Sequence, residues 1–289
     1  MIKLLKIAVF LAVAIMVASM IGCGNNGTED KSITAFVGSA SKPPMEEAAA
    51  TFEKRTGVKV YLTFGGSGTL LSQMKLGKTG DIYIPGSPDY MIKAERDGVV
   101  PTANSKRIAY LIPAICVQKG NPKEIKSLTD LMNPNIEFAI GEPSSVCVGL
   151  YAIELLDYNG LLDKVKLAGT CKTYASSCDN TAALLGLRSV DAVIGWDVFA
   201  AWNPATTAAV MLPAGKLPRI AYIPAAVTYF AVNKENAEKF IDFLVSPDGQ
   251  EIFRKWGYKT SEIEAKAMAP NASIGGEYKL PPGFITLIK

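Results

Sequence analysis

The 289-residue sequence contains no histidine. That absence removes Ser-His-Asp and Cys-His nucleophile arrangements and His-based zinc sites from consideration. Strong charge of either sign is missing too, since 30 Lys and Arg face 27 Asp and Glu. Two of the lysines, Lys3 and Lys6, fall in an N-terminal segment read below as removable, so the remainder is close to neutral and carries no nucleic-acid footprint. Cysteine is sparse, at five residues. There is no internal repeat beyond a strand-helix period, and no low-complexity segment outside residues 24–30. What is present is a chain 49% hydrophobic, enough to bury the core of one large or two moderate domains and to exclude general disorder.

Residues 1–23 carry Lys3 and Lys6, an apolar run from Ile7 to Met20, and Ile21-Gly22-Cys23. A basic start, a short apolar run and a small residue at the break describe an export signal, because a membrane span needs roughly 20 apolar residues. Gly22-Cys23 resembles a bacterial-type lipobox, which implies lipidation of Cys23 after cleavage, although Met20 and Ile21 are imperfect matches. Residues 24–31 then form a polar tether.

The central stretch is Val60-Tyr61-Leu62-Thr63-Phe64-Gly65-Gly66-Ser67-Gly68-Thr69-Leu70-Leu71. Val60, Leu62 and Phe64 alternate as a strand does, whereas Leu70, Leu71 and Met74 recur at helical spacing. The glycines at 65, 66 and 68 are expected to adopt positive φ and let the backbone approach a ligand, with Ser67 beside the free N–H groups of the helix start. Such a turn binds an oxyanion without charged side chains. Equally, it is a tight glycine turn capped by a serine. The same pattern occurs at Ser32 to Val37, where the strand leads through Ser41 and Pro43-Pro44 into a helix over Met45 to Arg55, closed by Gly57. Asp81 to Ile84 starts another unit. Repeated strand-turn-helix units imply parallel sheets with ligands beyond the strands' carboxyl ends. Leu111 to Val117 reads as one apolar strand, after which Lys119-Gly120-Asn121-Pro122 turns into a new unit. Strands at Glu137 to Ile140 and Asp191 to Gly195 follow, with small-residue helix starts at Val146-Cys147-Val148-Gly149 and Ser176-Ser177-Cys178-Asp179-Asn180, the latter capped by Asp179 or Asn180. Ala221 to Val232 returns the chain to its first domain. Glu235 to Leu244 is an amphipathic helix, and Ser246-Pro247-Asp248 starts another that ends at Gly257. The tail after Lys259 shows no clear pattern.

The order of Ala35-Phe36-Val37-Gly38-Ser39-Ala40-Ser41, Phe52-Glu53-Lys54-Arg55-Thr56-Gly57-Val58, Phe64-Gly65-Gly66-Ser67-Gly68-Thr69-Leu70, Asp81-Ile82, Asp191-Ala192-Val193-Ile194-Gly195-Trp196 and Phe240 to Tyr258 resembles the molybdate/tungstate-binding proteins of ABC importers. The resemblance spans roughly residues 33–260. It implies an α/β, type II periplasmic-binding-protein-like fold of two lobes, each a central mixed sheet flanked by helices and joined by two crossing strands. The implied division is residues 32–113 with 226–289 for lobe 1 and residues 114–225 for lobe 2. It implies a tetrahedral oxyanion ligand held by Ser41 and Ser67 from lobe 1, and by Val148 and Cys178 through backbone N–H from lobe 2. Trp196 stands where the family has a tyrosine and donates only through its indole N–H. Metal enters only as the centre of the oxyanion that Ser41 and Ser67 touch. Some archaeal members add carboxylates from the second lobe, but Val146 here cannot serve. Lys42 departs from the family's apolar residue and faces solvent or adds charge near the ligand. The implied partners are the membrane permease of the importer and, through the lipid anchor, the membrane, with no nucleic acid and no further cofactor. A monomer is expected. Sulfate, phosphate or a small carboxylate are the alternative ligands.

Beyond Cys23, the four cysteines Cys116, Cys147, Cys171 and Cys178 permit two disulfides in an exported protein. Cys171 with Cys178 closes a short loop and is the favoured pair, while Cys147 and Cys116 read as buried small hydrophobes. A four-thiolate zinc site lacks the paired short spacings. Trp196 and Asp197 are alternatively a core residue and a helix cap. An enzyme reading fails, because Gly65-Gly66-Ser67-Gly68-Thr69 has Thr69 where the nucleophile elbow needs glycine, and no histidine can act as base.

Overall fold

The computed structural model describes residues 32–288; the expected export signal, Cys23 and the expected tether lie outside the described residues. The chain opens with β1 (Ser32–Gly38), α1 (Lys42–Thr56), β2 (Lys59–Gly65), α2 (Ser67–Gly77), β3 (Ile82–Ile84) and α3 (Pro88–Arg96). β3 and the second half of β1, Ala35 to Val37, are continuous buried apolar runs, as expected of strands covered on both faces. α1 starts with prolines in its first turn and stops at Gly57, whose φ of 72° gives the left-handed cap, its N–H donating to Glu53 O at 2.8 Å.

The apolar run after α3 is two strands: β4 (Lys106–Leu111) and β5 (Pro113–Gln118) belong to different sheets, and the chain crosses at Ile112. The run looks continuous because both strands are buried, while Pro113, lacking an N–H, marks the change of ladder. The chain continues through β6 (Phe138–Gly141), α4 (Cys147–Tyr158), α5 (Leu162–Ala168), β7 (Cys171–Ala175), α6 (Cys178–Gly186), β8 (Ala192–Trp196), α7 (Phe199–Trp202) and β9 (Thr207–Val210). It closes with β10 (Arg219–Val227), α8 (Lys234–Val245), α9 (Pro247–Lys255), α10 (Glu262–Met268) and β11 (Ser273–Ile274).

Two mixed sheets result, in the orders β11-β10-β3-β1-β2, with β4 also on β10, and β7-β6-β8-β5-β9. β1, β2 and β3 are parallel and in register, with Gly38 opposite Gly65, so their carboxyl ends open on one edge. β6, β7 and β8 are also parallel in the second sheet, with a register shift between Phe138 and Ala139 against β7. One buried cluster centres on the first sheet and continues through Cys147, Val148, Cys178 and Trp196 of the second; another fills the far side of the second sheet. The patternless tail is ordered by contacts rather than by periodicity: Ser261 and Glu264 form a capping box on α10, and Leu287 is buried in the second cluster beside Tyr174, whose hydroxyl accepts its N–H at 2.6 Å. Among the described residues no helix is long and apolar enough to cross a membrane.

Candidate functional site

The carboxyl ends of β1 and β2 deliver two buried hydroxyls to the boundary between the sheets. Ser39, fully buried, begins a single 3-10 turn after Gly38. Its Oγ accepts the N–H groups of Cys178 at 3.1 Å and Asp179 at 3.3 Å, the first two residues of α6. Ser67, also buried, is the first residue of α2, and its Oγ accepts the Gly86 N–H at 3.1 Å, while Tyr83 donates its phenol to the Ser67 carbonyl at 2.8 Å. Burial drives the Tyr83 phenol well above its ordinary pKa, so it remains a donor.

The glycines of the central turn act differently from the sequence expectation. Gly65, Gly66 and Gly68 are not among the positive-φ residues, and Gly66 sits at φ −65°. Glycine serves close approach instead. A Cβ on Gly66 would lie 2.8 Å from Ser176 O and 3.0 Å from Ser145 O, and Gly68 donates its N–H to Ser145 O at 2.8 Å. The loops ahead of α4 and α6 therefore seat directly on this turn.

The second sheet contributes two helix starts. α4 begins at Cys147 after Val146, which carries no capping side chain; α6 is capped by Ser177, whose Oγ accepts the Asn180 N–H at 3.3 Å. Ser177 thus takes the capping role expected of Asp179 or Asn180, because its hydroxyl stands one residue before the first helical N–H. Cys147 Sγ lies 3.3 Å from Cys178 Sγ, both thiols being buried. Burial first, then the neighbouring Cys178 thiol, pushes the Cys147 thiol well above its ordinary pKa, against the pull of the Ser67 hydroxyl and the Val148 N–H. The four described cysteines are free, so the expected Cys171–Cys178 disulfide is absent. Cys171 starts β7 and packs in the second cluster, whereas Cys178 starts α6 and packs in the first, so despite their short sequence separation the two lie apart.

At the rim, Lys42 Nζ lies 3.2 Å from Asp179 Oδ2. Burial raises the Asp179 carboxyl, but hydrogen bonds with the Ser177 and Ser39 hydroxyls and with Lys42 hold it below the usual carboxylate range. Lys42 and Asp179 also line a groove of about 520 Å³ with Trp202 and Trp256.

Of the residues implied by the resemblance, Ser67, Val148 and Cys178 lie at this convergence. Ser41 is buried in the turn, and its hydroxyl points back to Gly38 O at 3.4 Å. Trp196, at the end of β8, is fully buried edge-on to Tyr151, ring centroids 5.1 Å apart, and its Nε1 has no hydrogen-bond partner among the described residues. Asp197 accepts the Ile112 N–H at 3.2 Å and pairs with Lys259, tying β8 to the crossing segment. Ser39 and Cys147 are the residues that sequence reasoning passed over. The signal for Ser39 was its place immediately after the strand end, nearer the sheet edge than Ser41; nothing in the sequence marked Cys147. The arrangement offers hydroxyl and helix-start N–H groups to an anion, and among the described residues there is no cluster of three or more metal-ligating side chains.

The sequence profile of the bacterial extracellular solute-binding proteins matches residues 33–259. The chain belongs to that family. It is a solute-binding protein of the ABC-importer type, and the family is one of binding proteins rather than enzymes. A molybdate-binding protein of Escherichia coli is 27% identical over 81% of this chain and 91% of its own length, and one of Rhodobacter capsulatus 25% identical over 79% and 88%. Among solved structures, the periplasmic molybdate-binding protein of Azotobacter vinelandii superposes with TM-score 0.70 at 19% identity, covering 80% of this chain and all of that one. The sulfate-binding protein SubI of Mycobacterium tuberculosis gives 0.69 at 19% identity, covering 84% and 93%. AfuA of Actinobacillus pleuropneumoniae, solved with fructose-6-phosphate, gives 0.69 at 20% identity, covering 81% and 86%. These likenesses show the type II two-lobed fold.

Proposed function

We propose that the protein captures a tetrahedral oxyanion, molybdate or tungstate, between lobe 1 (residues 32–113 and 226–289) and lobe 2 (residues 114–225) and delivers it to an ABC permease. The observation that carries this reading is the convergence of the Ser39 and Ser67 hydroxyls with the first N–H groups of α4 and α6. Helix-start N–H groups and hydroxyls satisfy a doubly charged anion without a buried counter-cation. Ser39 takes the part that the resemblance assigned to Ser41, with Ser67, Val148 and Cys178 as the other contacts and Trp196 beside them. The names of the Escherichia coli and Rhodobacter capsulatus relatives support the choice of anion.

A second reading, a phosphorylated organic anion, is favoured by the groove of about 520 Å³ at the Lys42–Asp179 rim and by the fructose-6-phosphate named for AfuA. Calorimetry of the mature protein with molybdate, tungstate, sulfate, phosphate and fructose-6-phosphate separates the two. Tightest binding of molybdate or tungstate is expected; a sugar phosphate that binds more tightly than either overturns the oxyanion reading. The Gly22-Cys23 pair supports anchoring through a lipid on Cys23. Membrane fractionation of Cys23→Ala cells should find the protein released or unprocessed, and a cleaved variant that still sediments with membranes refutes the anchor.

A further inference from the structure

The two thiols at the site are unexplained by oxyanion capture, which needs only N–H and hydroxyl donors. Cys147 and Cys178 open α4 and α6, lie 3.3 Å apart sulfur to sulfur, and are 1% and 2% exposed. The other two described cysteines are placed differently. Cys116 lies within β5, its Sγ turned to the Trp196 carbonyl at 3.2 Å, and Cys171 packs in the second cluster. The paired sulfurs sit between donor groups: Ser39 Oγ holds the Cys178 N–H at 3.1 Å, and Cys147 Sγ faces the Ser67 hydroxyl and the Val148 N–H. An anion held by those donors must rest against these sulfurs or displace them. The family is extracellular, where thiols meet oxidising conditions.

We infer that Cys147 and Cys178 form a redox pair at the anion site, whose disulfide staples the starts of α4 and α6 and shuts the site to its ligand. The consequence for binding rests on the oxyanion reading; the pairing itself does not. A low-molecular-weight disulfide serves as oxidant. The Cys147 thiol loses its proton, and the thiolate attacks one sulfur of the oxidant, forming a mixed disulfide and expelling the other sulfur as a thiolate that takes up that proton. The Cys178 thiolate then attacks Cys147 Sγ, forming the Cys147–Cys178 bond and releasing the second thiol. Two electrons and two protons pass to the oxidant, which leaves as two thiols. Burial keeps the Cys147 thiol protonated while the lobes are shut, so the exchange proceeds from the open form. Once joined, the sulfurs lose both S–H donors and the rotamer freedom by which each side chain could swing from the ligand's path.

The test treats the purified protein with oxidised glutathione, then alkylates under denaturing conditions and maps the peptides. A linked Cys147–Cys178 peptide, with Cys116 and Cys171 alkylated, is expected; complete alkylation of Cys147 and Cys178 overturns the pair. Calorimetry with molybdate on the reduced and oxidised forms should show about tenfold weaker binding or more after oxidation. Equal affinity of the two forms overturns the closing of the site. Cys147→Ser should bind molybdate alike before and after the oxidant, whereas Cys171→Ala should respond as the unaltered protein does, and a Cys171→Ala protein that no longer forms the disulfide overturns the pairing. Absence of molybdate and tungstate binding by the reduced protein defeats the oxyanion reading alone, and the peptide map still decides the pair.

Discussion

Ser39 and Ser67 occupy similar places, one and two residues after strands that end at the same edge of the first sheet, and each hydroxyl accepts an N–H from another part of the chain, Ser39 from the start of α6 and Ser67 from Gly86. On the proposed reading an entering anion turns those hydroxyls from accepting to donating, which a serine does by rotating one bond. A hydrogen bond to a charged acceptor contributes about 1.5–3 kcal/mol. Ser39→Ala and Ser67→Ala should therefore each weaken molybdate binding by roughly tenfold or more, while Ser41→Ala, whose hydroxyl serves its own turn, should change it by less than either in the same calorimetric series. Ser41 as the strongest of the three would return it to the site. Gly66 carries a different expectation, because its Cβ would meet two carbonyls of the opposing loops. Gly66→Ala should leave the urea midpoint of the free protein near that of the parent and lower the affinity for molybdate, since only the closed form feels the collision.

Among elements, Arg219 at the start of β10 ties the two sheets together. Its guanidinium reaches Asp89 of α3 at 2.9 Å, Glu154 of α4 at 2.7 Å and the Gly276 carbonyl, with Arg219 and Asp89 about 5% exposed and Glu154 12%. It also lies over the Tyr151 ring, 4.2 Å from the centroid. Removing one member of such a buried group leaves the others' charge uncompensated, so Arg219→Ala should cost about 3–5 kcal/mol by urea unfolding. A loss under 1 kcal/mol would show that water reaches the carboxylates. The Lys42–Asp179 pair joins α1 to α6 and is more exposed, so its contribution is screened and small. Its pH dependence has a definite sign. The Asp179 carboxyl lies below its ordinary range in the folded protein, so its stabilisation is present above the ordinary carboxylate pKa and is lost as pH falls through the lowered one. The urea midpoint of Asp179→Asn should trail the parent at neutral pH and converge with it in acid; a constant difference across that range would assign the effect to the helix start instead.

For the whole molecule, delivery to a permease requires that the ligated form differ from the free one. On the proposed reading the donors divide between the two lobes, so only a closed form would offer all of them, and that differential contact would shift the equilibrium toward closure. Small-angle scattering should show the mature protein compacting on saturation with molybdate. Unchanged dimensions, with binding confirmed in the same sample, would mean that the free protein is already shut. Trp196, buried against Tyr151, is the optical probe of the same event, read as the difference between the parent and Trp196→Phe.

The strand-turn-helix period, the amphipathic helix over residues 234–245 and the glycine stop of α1 were legible in the sequence, because each depends on side-chain period or local backbone freedom within one turn or strand. The lack of histidine likewise ruled out whole classes of chemistry from composition alone. Other features depend on partners distant in the chain. The break at Ile112 is invisible where two buried strands follow one another. Beyond the capping box on α10, the end of the tail is held by surfaces that earlier elements provide. Ser39 differs from Ser41 through a contact 139 residues away, and Cys147 meets Cys178, rather than Cys178 meeting Cys171, because the nearer pair packs in separate clusters. Local rules set which segments form strands and helices; the choice of which side chains meet belongs to the packing of the two sheets, since burial, not sequence distance, decides which groups must satisfy one another.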